Sequence, residues 1–455
     1  MNHALAQAIL RQLRVSERSP ADPGIWQSLN RSEWEQTLAW MDLSGLTLYF
    51  RQNLIATNAF RLLPSPVSEG LDRCDEDNRN RVSAMAEEFK ILNKLFEDAG
   101  VEHAVLKGFA LVPDYCPDPG LRTQYDYDYL VRRSSVEQVE RVLLNAGYRR
   151  KNPANEHPFV YGRAPSAPPA MEKSLGLYSS RLERSIEIHS QLWDSIEEKI
   201  SIDPPDGLLD RALRRRWQDL ESLALNDEDG LAYQVLHAFR HILRNWCRLS
   251  IFLEIAHFMN RRFSDAAFWE RFGERISNVR WLPEASGVVL SLANKLFGAP
   301  IPSCITGLTR SSLSPVLDLW VERYGRKSAL DNFRNDKYCL FLHREFVDDP
   351  SDWAQVRQRR LFPMHCPHRL PAAIHRRGSS TLGKLWMESL HTISRIKFHA
   401  SADLRYACEV PRWRWLRKPR ASGQSIPDGQ LHGVSQRLDR QDLKEPPLKE
   451  TSIVS

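Results

Sequence analysis

Two aspartates stand two positions apart in an alternating stretch of the sequence, residues 123–131 (TQYDYDYLV). Because successive side chains of a strand point to opposite faces, Asp126 and Asp128 would share one face, with Tyr127 and Tyr129 on the other. Two carboxylates so close stay ionised only beside cations, and Mg²⁺, with Mn²⁺ as the alternative, prefers such oxygen ligands. The spacing therefore predicts a divalent metal site.

A third carboxylate is expected from a second alternating stretch, residues 184–192 (RSIEIHSQL). Glu187 lies between Ile186 and Ile188, which would anchor its strand in the core. Three acidic groups can clamp two metal ions about 3.5 to 4 Å apart, an arrangement that serves in-line phosphoryl or nucleotidyl transfer. His189 would share the face of Glu187, where it would contact phosphate or an acceptor, or hydrogen-bond the carboxylate.

A predicted strand at residues 101–106 ends in Lys107-Gly108, and a helix is predicted over residues 109–115. Glycine lets the backbone approach a phosphate, a helix N-terminus offers free N–H groups, and Lys107 adds a positive charge. Each of these patterns also occurs by chance on solvated surfaces. Their order within one compact region, from glycine turn to paired aspartates to a later glutamate strand, therefore carries the prediction.

That order resembles the polymerase β-type nucleotidyltransferase superfamily, whose pattern is a glycine-containing turn, h[DE]h[DE]h and a separate h[DE]h, where h is an apolar residue. More narrowly, VLKGFAL, GLRTQYDYDYLV, AGY and IEIH look like an uncharacterised bacterial nucleotidyltransferase family with the signature LKG…R…DxDxLV…GY…hExH. The resemblance extends over residues 30–400. It implies Asp126 and Asp128 as Mg²⁺ ligands, Glu187 as the third carboxylate, and Lys107 with Gly108 as the phosphate turn.

Two further features of the resemblance concern phosphate binding. Arg122 matches the family's arginine, and the resemblance implies that it pairs with phosphate bidentately. Phe109 and Ala110 stand where the wider superfamily has a second small residue or a serine, so no serine hydroxyl is available to hold phosphate. The narrower family shares this departure.

The implied activity is transfer of a nucleoside monophosphate from an NTP, with ATP as the expected nucleotide, to an acceptor hydroxyl with release of pyrophosphate. The acceptor stays open among a sugar, a metabolite, a peptide and a protein. One alternative is a nucleotide- or acceptor-binding scaffold without turnover in a bacterial biosynthetic pathway. Another is an interaction protein built on helical lobes, in which the carboxylates are merely exposed.

Composition excludes several other classes of protein. The chain has 455 residues, 42% of them hydrophobic, and a net charge of +6. This charge is too small to predict a nucleic-acid partner. Neither a membrane-spanning apolar run nor a secretory signal is evident, which predicts a cytoplasmic protein. Seven scattered cysteines without a CxxC pair predict reduced thiols rather than disulfides or zinc.

Periodicity predicts an α+β fold, with a small mixed-sheet core flanked by helical lobes. The predicted divisions are a helical lobe, the α/β core, a helical bundle, a basic segment with one helix and a disordered tail, at residues 1–78, 79–204, 205–345, 346–410 and 411–455. Residues 63–77 are expected to be a linker. Helices are predicted over residues 82–99, 134–146, 208–216, 230–245, 249–261, 266–276, 286–297, 314–324 and 382–398.

Two other patterns have competing interpretations. His237 and His241 are spaced four apart on a predicted helix, a geometry that can bind metal, but packing or a contact with substrate is favoured because no third ligand is evident. A basic and aromatic surface nearby could line a substrate cleft or form a solvated helix face; it comprises Arg240, Arg244, Trp246 and Arg248. The basic stretch at residues 357–360 is either a weak anion-binding patch or an ordinary linker.

Overall fold

The computed structural model describes residues 3–16, 23–153, 156–163, 177–303, 313–330, 336–362 and 381–417. The chain divides into two compact units, Met1–Cys408 and Glu409–Ser455. All strands of the described residues and the site considered below belong to the first unit.

The helices of the described residues run in chain order as α1 (His3–Gln12), α2 (Pro23–Ser28), α3 (Arg31–Ser44), α4 (Thr47–Ala56), α5 (Ser65–Asp98), α6 (Val136–Asn145), α7 (Ser195–Glu198), α8 (Asp227–Leu243), α9 (Leu249–Arg261), α10 (Ala266–Ser277), α11 (Leu282–Phe297), α12 (Pro315–Trp320), α13 (Arg326–Leu330), α14 (Cys339–Phe346), α15 (Pro350–Leu361) and α16 (Thr381–Leu416). A short π-helix, Val321–Gly325, joins α12 to α13. Most of the predicted helices after residue 225 are therefore present.

The described residues form one seven-stranded sheet. Its strands are β1 (His103–Val105), β2 (Asp126–Val131), β3 (Tyr148–Arg150), β4 (Phe159–Arg163), β5 (Ser185–His189), β6 (Leu213–Trp217) and β7 (Leu220–Ala224). The strand order is β3-β4-β5-β2-β1-β7-β6. The β2–β5 and β1–β7 pairs are parallel and the other neighbours antiparallel. The predicted α+β fold with a mixed sheet is confirmed.

The tyrosine face of β2 packs into the hydrophobic core, as the alternation of the sequence predicts. Tyr127 and Tyr129 are 3% and 0% exposed and belong to one cluster with apolar side chains of α5 and α6. The Tyr127 hydroxyl lies 3.1 Å from the Met85 carbonyl and 3.0 Å from Glu88 Oε2, the two acceptors within reach of its single O–H. Burial of these aromatic rings fixes which face of β2 is turned inward and leaves the aspartate face for the site.

The predicted linker at residues 63–77 is wrong, because α5 begins at Ser65 and continues without a break to Asp98. Pro64 is the N-cap residue of α5, and Pro66 lies in its first turn, where the missing N–H has no partner to lose. The prolines therefore start the helix instead of interrupting the chain. The predicted helix over residues 82–99 is the C-terminal half of this longer element.

The predicted helix over residues 208–216 is also wrong. Leu213–Trp217 is strand β6, which turns back through Gln218, at a φ of 54°, into β7. Strand β7 then pairs with β1 through Ala224 and Val105. The sheet consequently includes residues beyond 204, the predicted end of the core.

The predicted helix over residues 109–115 is reduced to a single 3₁₀ turn, Gly108–Leu111. Pro113 follows shortly after and has no N–H with which to continue a helix. A four-residue turn lacks the aligned peptide dipoles of a longer helix. The expected contribution of a helix N-terminus to phosphate binding is therefore not supported, although the glycine turn itself is present.

The C-terminal helix is longer than its predicted counterpart at residues 382–398. Helix α16 continues to Leu416 and contains Pro411, so residues 411–416 are helical where the disordered tail was expected to begin. Residues 418–455 lie outside the described residues. The basic stretch forms the end of α15, where Arg359 donates to the Glu197 carbonyl and Arg360 lies 3.4 Å from the Glu198 carboxylate.

Two predictions about the whole chain concern membranes and thiols. No helix in the described part of the chain has both the length and the apolar character needed to cross a bilayer. The cysteines that the structure describes are all free thiols: Cys74, Cys116, Cys247, Cys339 and Cys408. Cys304 and Cys366 lie outside the described residues.

Candidate functional site

The parallel pairing of β2 with β5 brings the predicted acidic residues together. Asp128 is the register partner of Glu187, and Leu130 is that of His189. Neighbouring strands lie about 4.8 Å apart, so partners on one face have adjacent side chains. Ligand atoms of Asp128, Glu187 and His189 all lie within 4.8 Å of one another, which is a spacing that suits one metal ion.

Asp128 has one satisfied and one unsatisfied carboxylate oxygen. Its Oδ1 lies 2.8 Å from Lys107 Nζ and 3.1 Å from His189 Nε2. Its Oδ2 is buried and has no hydrogen-bond partner among the described residues. A buried carboxylate oxygen without a donor is costly unless a cation meets it. The donor set of Asp128, Glu187 and His189 therefore fits a divalent ion.

Asp126 shares the site but not the tightest part of it. It lies two residues before Asp128, about 6.6 Å along the strand, and its register partner is Ser185. The group of mutually close ligand atoms contains His189 in place of Asp126. Burial and the negative charge of Asp128 nevertheless raise the pKa of Asp126 to about 6.

The charges around Asp128 stabilise one another. Burial opposes ionisation of Asp128, but the charge of Lys107 and the hydrogen bond from His189 outweigh it and hold the pKa of Asp128 below its ordinary value. Burial would likewise lower the pKa of Lys107, yet Asp128 raises it. His189 follows the same pattern, because Asp128 and Glu187 raise its pKa against the effect of burial. Asp128 is thus held as an anion by the Lys107 ammonium and by the ring N–H of His189.

The turn at Lys107-Gly108 has a backbone conformation that favours glycine. Gly108 has a φ of 69°, and a Cβ at this position would lie 2.7 Å from Gln124 Nε2. Gln124 is 6% exposed and accepts a hydrogen bond from Arg122 Nη1 at 3.3 Å. The glycine therefore allows the segment carrying Gln124 and Arg122 to pack directly against the turn that presents Lys107.

We expect Gly108→Ala to damage the site more than the fold. The left-handed conformation should cost about 1 to 2 kcal/mol of stability, and the displaced Gln124 would disturb Arg122. The matched control is Gly100→Ala, since Gly100 has a φ of 64° but open space around its Cβ position. Denaturant melts should show similar losses for both variants, whereas binding of Mg·NTP should weaken only for Gly108→Ala. Equal binding by the two variants would contradict this role of the turn.

Arg122 lies beside the site with its guanidinium already engaged. Its Nε donates to Glu254 Oε1 at 2.8 Å, and Glu254 also accepts from the Tyr49 hydroxyl at 3.0 Å. The Glu254 charge raises the pKa of Arg122 although burial opposes this. The bidentate phosphate contact implied by the resemblance would have to form beside this ion pair. The role of Arg122 stays a prediction.

Three residues at the site were not identified from the sequence. Glu254 is the only acidic residue of the apolar helix α9, and that isolation is the signal of a buried cation partner. Tyr233 of α8 is 1% exposed, and its hydroxyl has no hydrogen-bond partner among the described residues. The ring of His157 packs 5.6 Å from that of His189, and its Nε2 accepts from the Ser190 N–H at 3.0 Å. No local pattern marks His157.

The histidine pair of α8 is not part of the group of candidate metal ligands formed by Asp128, Glu187 and His189. The rings of His237 and His241 contact each other at 4.6 Å, and His241 Nδ1 lies 2.8 Å from the Trp246 carbonyl. The group of candidate ligands found in the described residues contains neither histidine. Packing or a contact with substrate remains the interpretation.

Comparison with known proteins bears on the whole region that carries these residues. A sequence model described as "Uncharacterised nucleotidyltransferase" matches residues 30–298, which is more than half of the chain and includes every site residue named above. No curated protein and no solved structure is significantly similar to the chain. The family resemblance noted in the sequence is thereby confirmed over residues 30–298, and the chain belongs to this family of uncharacterised nucleotidyltransferases.

Proposed function

We propose that the protein is a Mg²⁺-dependent enzyme that transfers a nucleoside monophosphate from an NTP, with ATP as the expected nucleotide, to an acceptor hydroxyl. The new bond joins the acceptor oxygen to the α-phosphorus, and the bond from the α-phosphorus to the bridging oxygen breaks, releasing pyrophosphate. Mn²⁺ is the alternative ion. The acceptor class stays open among a sugar, a metabolite, a peptide and a protein.

The observation that carries this proposal is the side-by-side placement of Asp128 and Glu187 on parallel strands, with the buried Asp128 Oδ2 lacking a donor among the described residues. Asp126 would add a third carboxylate from one strand repeat away. Burial and then the charge of Asp128 raise the pKa of Asp126 to about 6, and a bound cation would relieve the repulsion between the two carboxylates. Divalent ions held there would neutralise triphosphate charge and activate the attacking hydroxyl.

The chain's own residues have distinct roles in this proposal. Asp128 orients Lys107 and His189 through its Oδ1 and keeps Oδ2 free for the cation. Lys107 is 14% exposed at its side chain and places its positive charge beside the carboxylates, where it would meet phosphate oxygens. Glu187, 25% exposed at its side chain, lines the open side of the group. Most of the rate acceleration would come from positioning and charge neutralisation.

The test is incubation of the purified full chain with each of the four NTPs, Mg²⁺ or Mn²⁺, and cell extract. We expect an α-labelled nucleotide to leave its label on a product and a γ-labelled one to release its label as pyrophosphate. EDTA should abolish both signals. Transfer of the γ-label to a product would indicate a kinase instead.

Calorimetry with Mg·NTP separates the proposal from its alternatives. Binding accompanied by transfer in extract supports the enzyme. Binding without pyrophosphate release, whatever extract is supplied, would favour a scaffold. Absence of any Mg²⁺-dependent nucleotide binding would contradict both the enzyme and the scaffold.

A further inference from the structure

One face of α8 lies beside the carboxylate site and carries polar side chains that the proposed reaction has not used. Tyr233, His237, Arg240 and His241 are spaced so that they share a helix face. The ring of Tyr233 lies 6.1 Å from that of His237, which in turn contacts His241. The helix is fixed to the sheet by Gln234, whose Nε2 donates to the Leu106 carbonyl at 3.3 Å.

This anchor places the face next to the phosphate turn, because Leu106 immediately precedes Lys107 in the chain. Arg240 lies six residues after Gln234, which is about 9 Å further along the helix axis. Arg240 is therefore offset along the helix from the turn that presents Lys107.

Arg240 has no counter-charge in the part of the chain that the structure describes. Its side chain is half-buried, yet its guanidinium makes no hydrogen bond and no ion pair with any described residue. Its neighbours Arg244 and Arg248 differ, since Arg244 pairs with Glu198 at 2.6 Å and Arg248 donates to the Thr123 carbonyl at 2.7 Å. A half-buried guanidinium without a partner is unfavourable unless an anion binds it.

Other groups on this face also have unused hydrogen-bonding capacity. The Tyr233 hydroxyl and His237 Nδ1 are buried and lack partners among the described residues. Burial lowers the pKa of His237, and the charges of Lys107 and Arg240 lower it further. Burial likewise lowers the pKa of His157, the ring beside His189, and Arg240 contributes to this. These effects agree with a position of the Arg240 charge close to His237 and to His157.

We propose that Arg240 binds the β- and γ-phosphates of the nucleotide, with Tyr233 and His237 as neutral hydrogen-bonding partners on the same helix face. This inference rests on the proposed function. The triphosphate would lie between the carboxylates with their divalent ions and the positive charges of Lys107 and Arg240. The same chemistry would suit an anionic acceptor, and the two sources are separated by the ligands used below.

The experiment is calorimetric titration of the full chain with Mg·NTP, with magnesium tripolyphosphate and with the nucleoside monophosphate. We expect Arg240→Gln to weaken both triphosphate ligands about ten- to hundredfold, as loss of a charge-assisted hydrogen bond does, and to leave the monophosphate unchanged. Arg240→Lys should retain part of the affinity. The matched control is Arg31→Gln, which makes the same charge change at a side chain that is 93% exposed.

Each other outcome has a defined meaning, provided that melting curves show both glutamine variants folded. Wild-type affinity of Arg240→Gln for both triphosphates overturns the inference and leaves the proposed function intact. If Arg240→Gln loses transfer to acceptor but not triphosphate affinity, the anionic acceptor is its ligand and the phosphate assignment is wrong. Equal weakening by Arg31→Gln, or of the monophosphate, likewise overturns it. Absence of nucleotide binding by the wild-type protein refutes both proposals.

Discussion

Replacing Asp128 by Asn should lower nucleotidyl transfer by about a thousandfold or more, because an effect of roughly 4 kcal/mol is typical when a charge that holds a divalent ion is lost. The substitution preserves the shape of the side chain and its Oδ1 acceptor. It removes the negative charge that Lys107 and His189 surround, and it turns the free Oδ2 into an N–H₂ group that repels a cation. Glu187→Gln should have an effect of similar size.

The measurement is release of pyrophosphate from Mg·NTP in the presence of acceptor, together with a titration of Mn²⁺ binding that does not depend on turnover. Asp219→Asn is the matched control, since it makes the same chemical change at a side chain that is 71% exposed and pairs with Lys90. Asp219→Asn should retain full activity and metal affinity. Full transfer by Asp128→Asn would eliminate the metal role of this carboxylate.

The site could be predicted from the sequence where it depends on the period of a strand. Alternation of Asp126 and Asp128 with Tyr127 and Tyr129 fixes the faces of β2 before any tertiary contact is known. Apolar neighbours on both sides of Glu187 do the same for β5. Register between two strands is a tertiary property. The sequence therefore could not predict that His189, and not Asp126, lies closest to the other candidate metal ligands, Asp128 and Glu187.

Polar partners that are far apart in the sequence also could not be predicted from it. The pairing of Arg122 with Glu254 joins residues that are far apart in the sequence, and neither residue marks the other. The local pattern of Arg122 predicts only that its charge needs an anion. A protein carboxylate supplies one in the structure, which is why a phosphate contact implied by family resemblance cannot be transferred without the geometry.

The errors in the predicted secondary structure lie where local sequence signals compete with tertiary contacts. Leu209, Leu213 and Trp217 recur every four residues, a helical period, but pairing of β6 with β7 prevails there. Strands β3 and β4 went unpredicted because they are short and lie in a stretch rich in loop-forming residues. The prolines at the start of α5 are also typical of a linker, but at a first helical turn they favour the helix. In each case the deciding contact is tertiary or depends on position within the element.

The two aspartates of β2 should have opposite effects on the stability of the metal-free protein. The folded pKa of Asp126, about 6, exceeds its ordinary value of 3.8, so the unfolded chain releases this proton first. Stability must then fall as the pH rises through that window, and the cost is complete above it. Asp126→Asn removes the charge and should raise the free energy of unfolding at pH 7.5 by about 1 to 3 kcal/mol.

The effect of Asp128 on the stability of the metal-free protein has the opposite sign to that of Asp126. Lys107 and His189 hold its folded pKa below 3.8, so its contribution is present above that pH and is lost only as the pH falls towards the folded value. Asp128→Asn leaves Lys107 buried without its anion and should cost about 3 kcal/mol at pH 7.5. Urea unfolding in EDTA at pH 7.5 and at pH 4 measures both differences, and the gain from Asp126→Asn should shrink at the lower pH. Added Mg²⁺ should stabilise the wild-type protein by relieving the repulsion between the carboxylates and should do little for Asp128→Asn. If Asp126→Asn and Asp128→Asn instead changed the free energy of unfolding in the same direction, these two carboxylates would not share one electrostatic site.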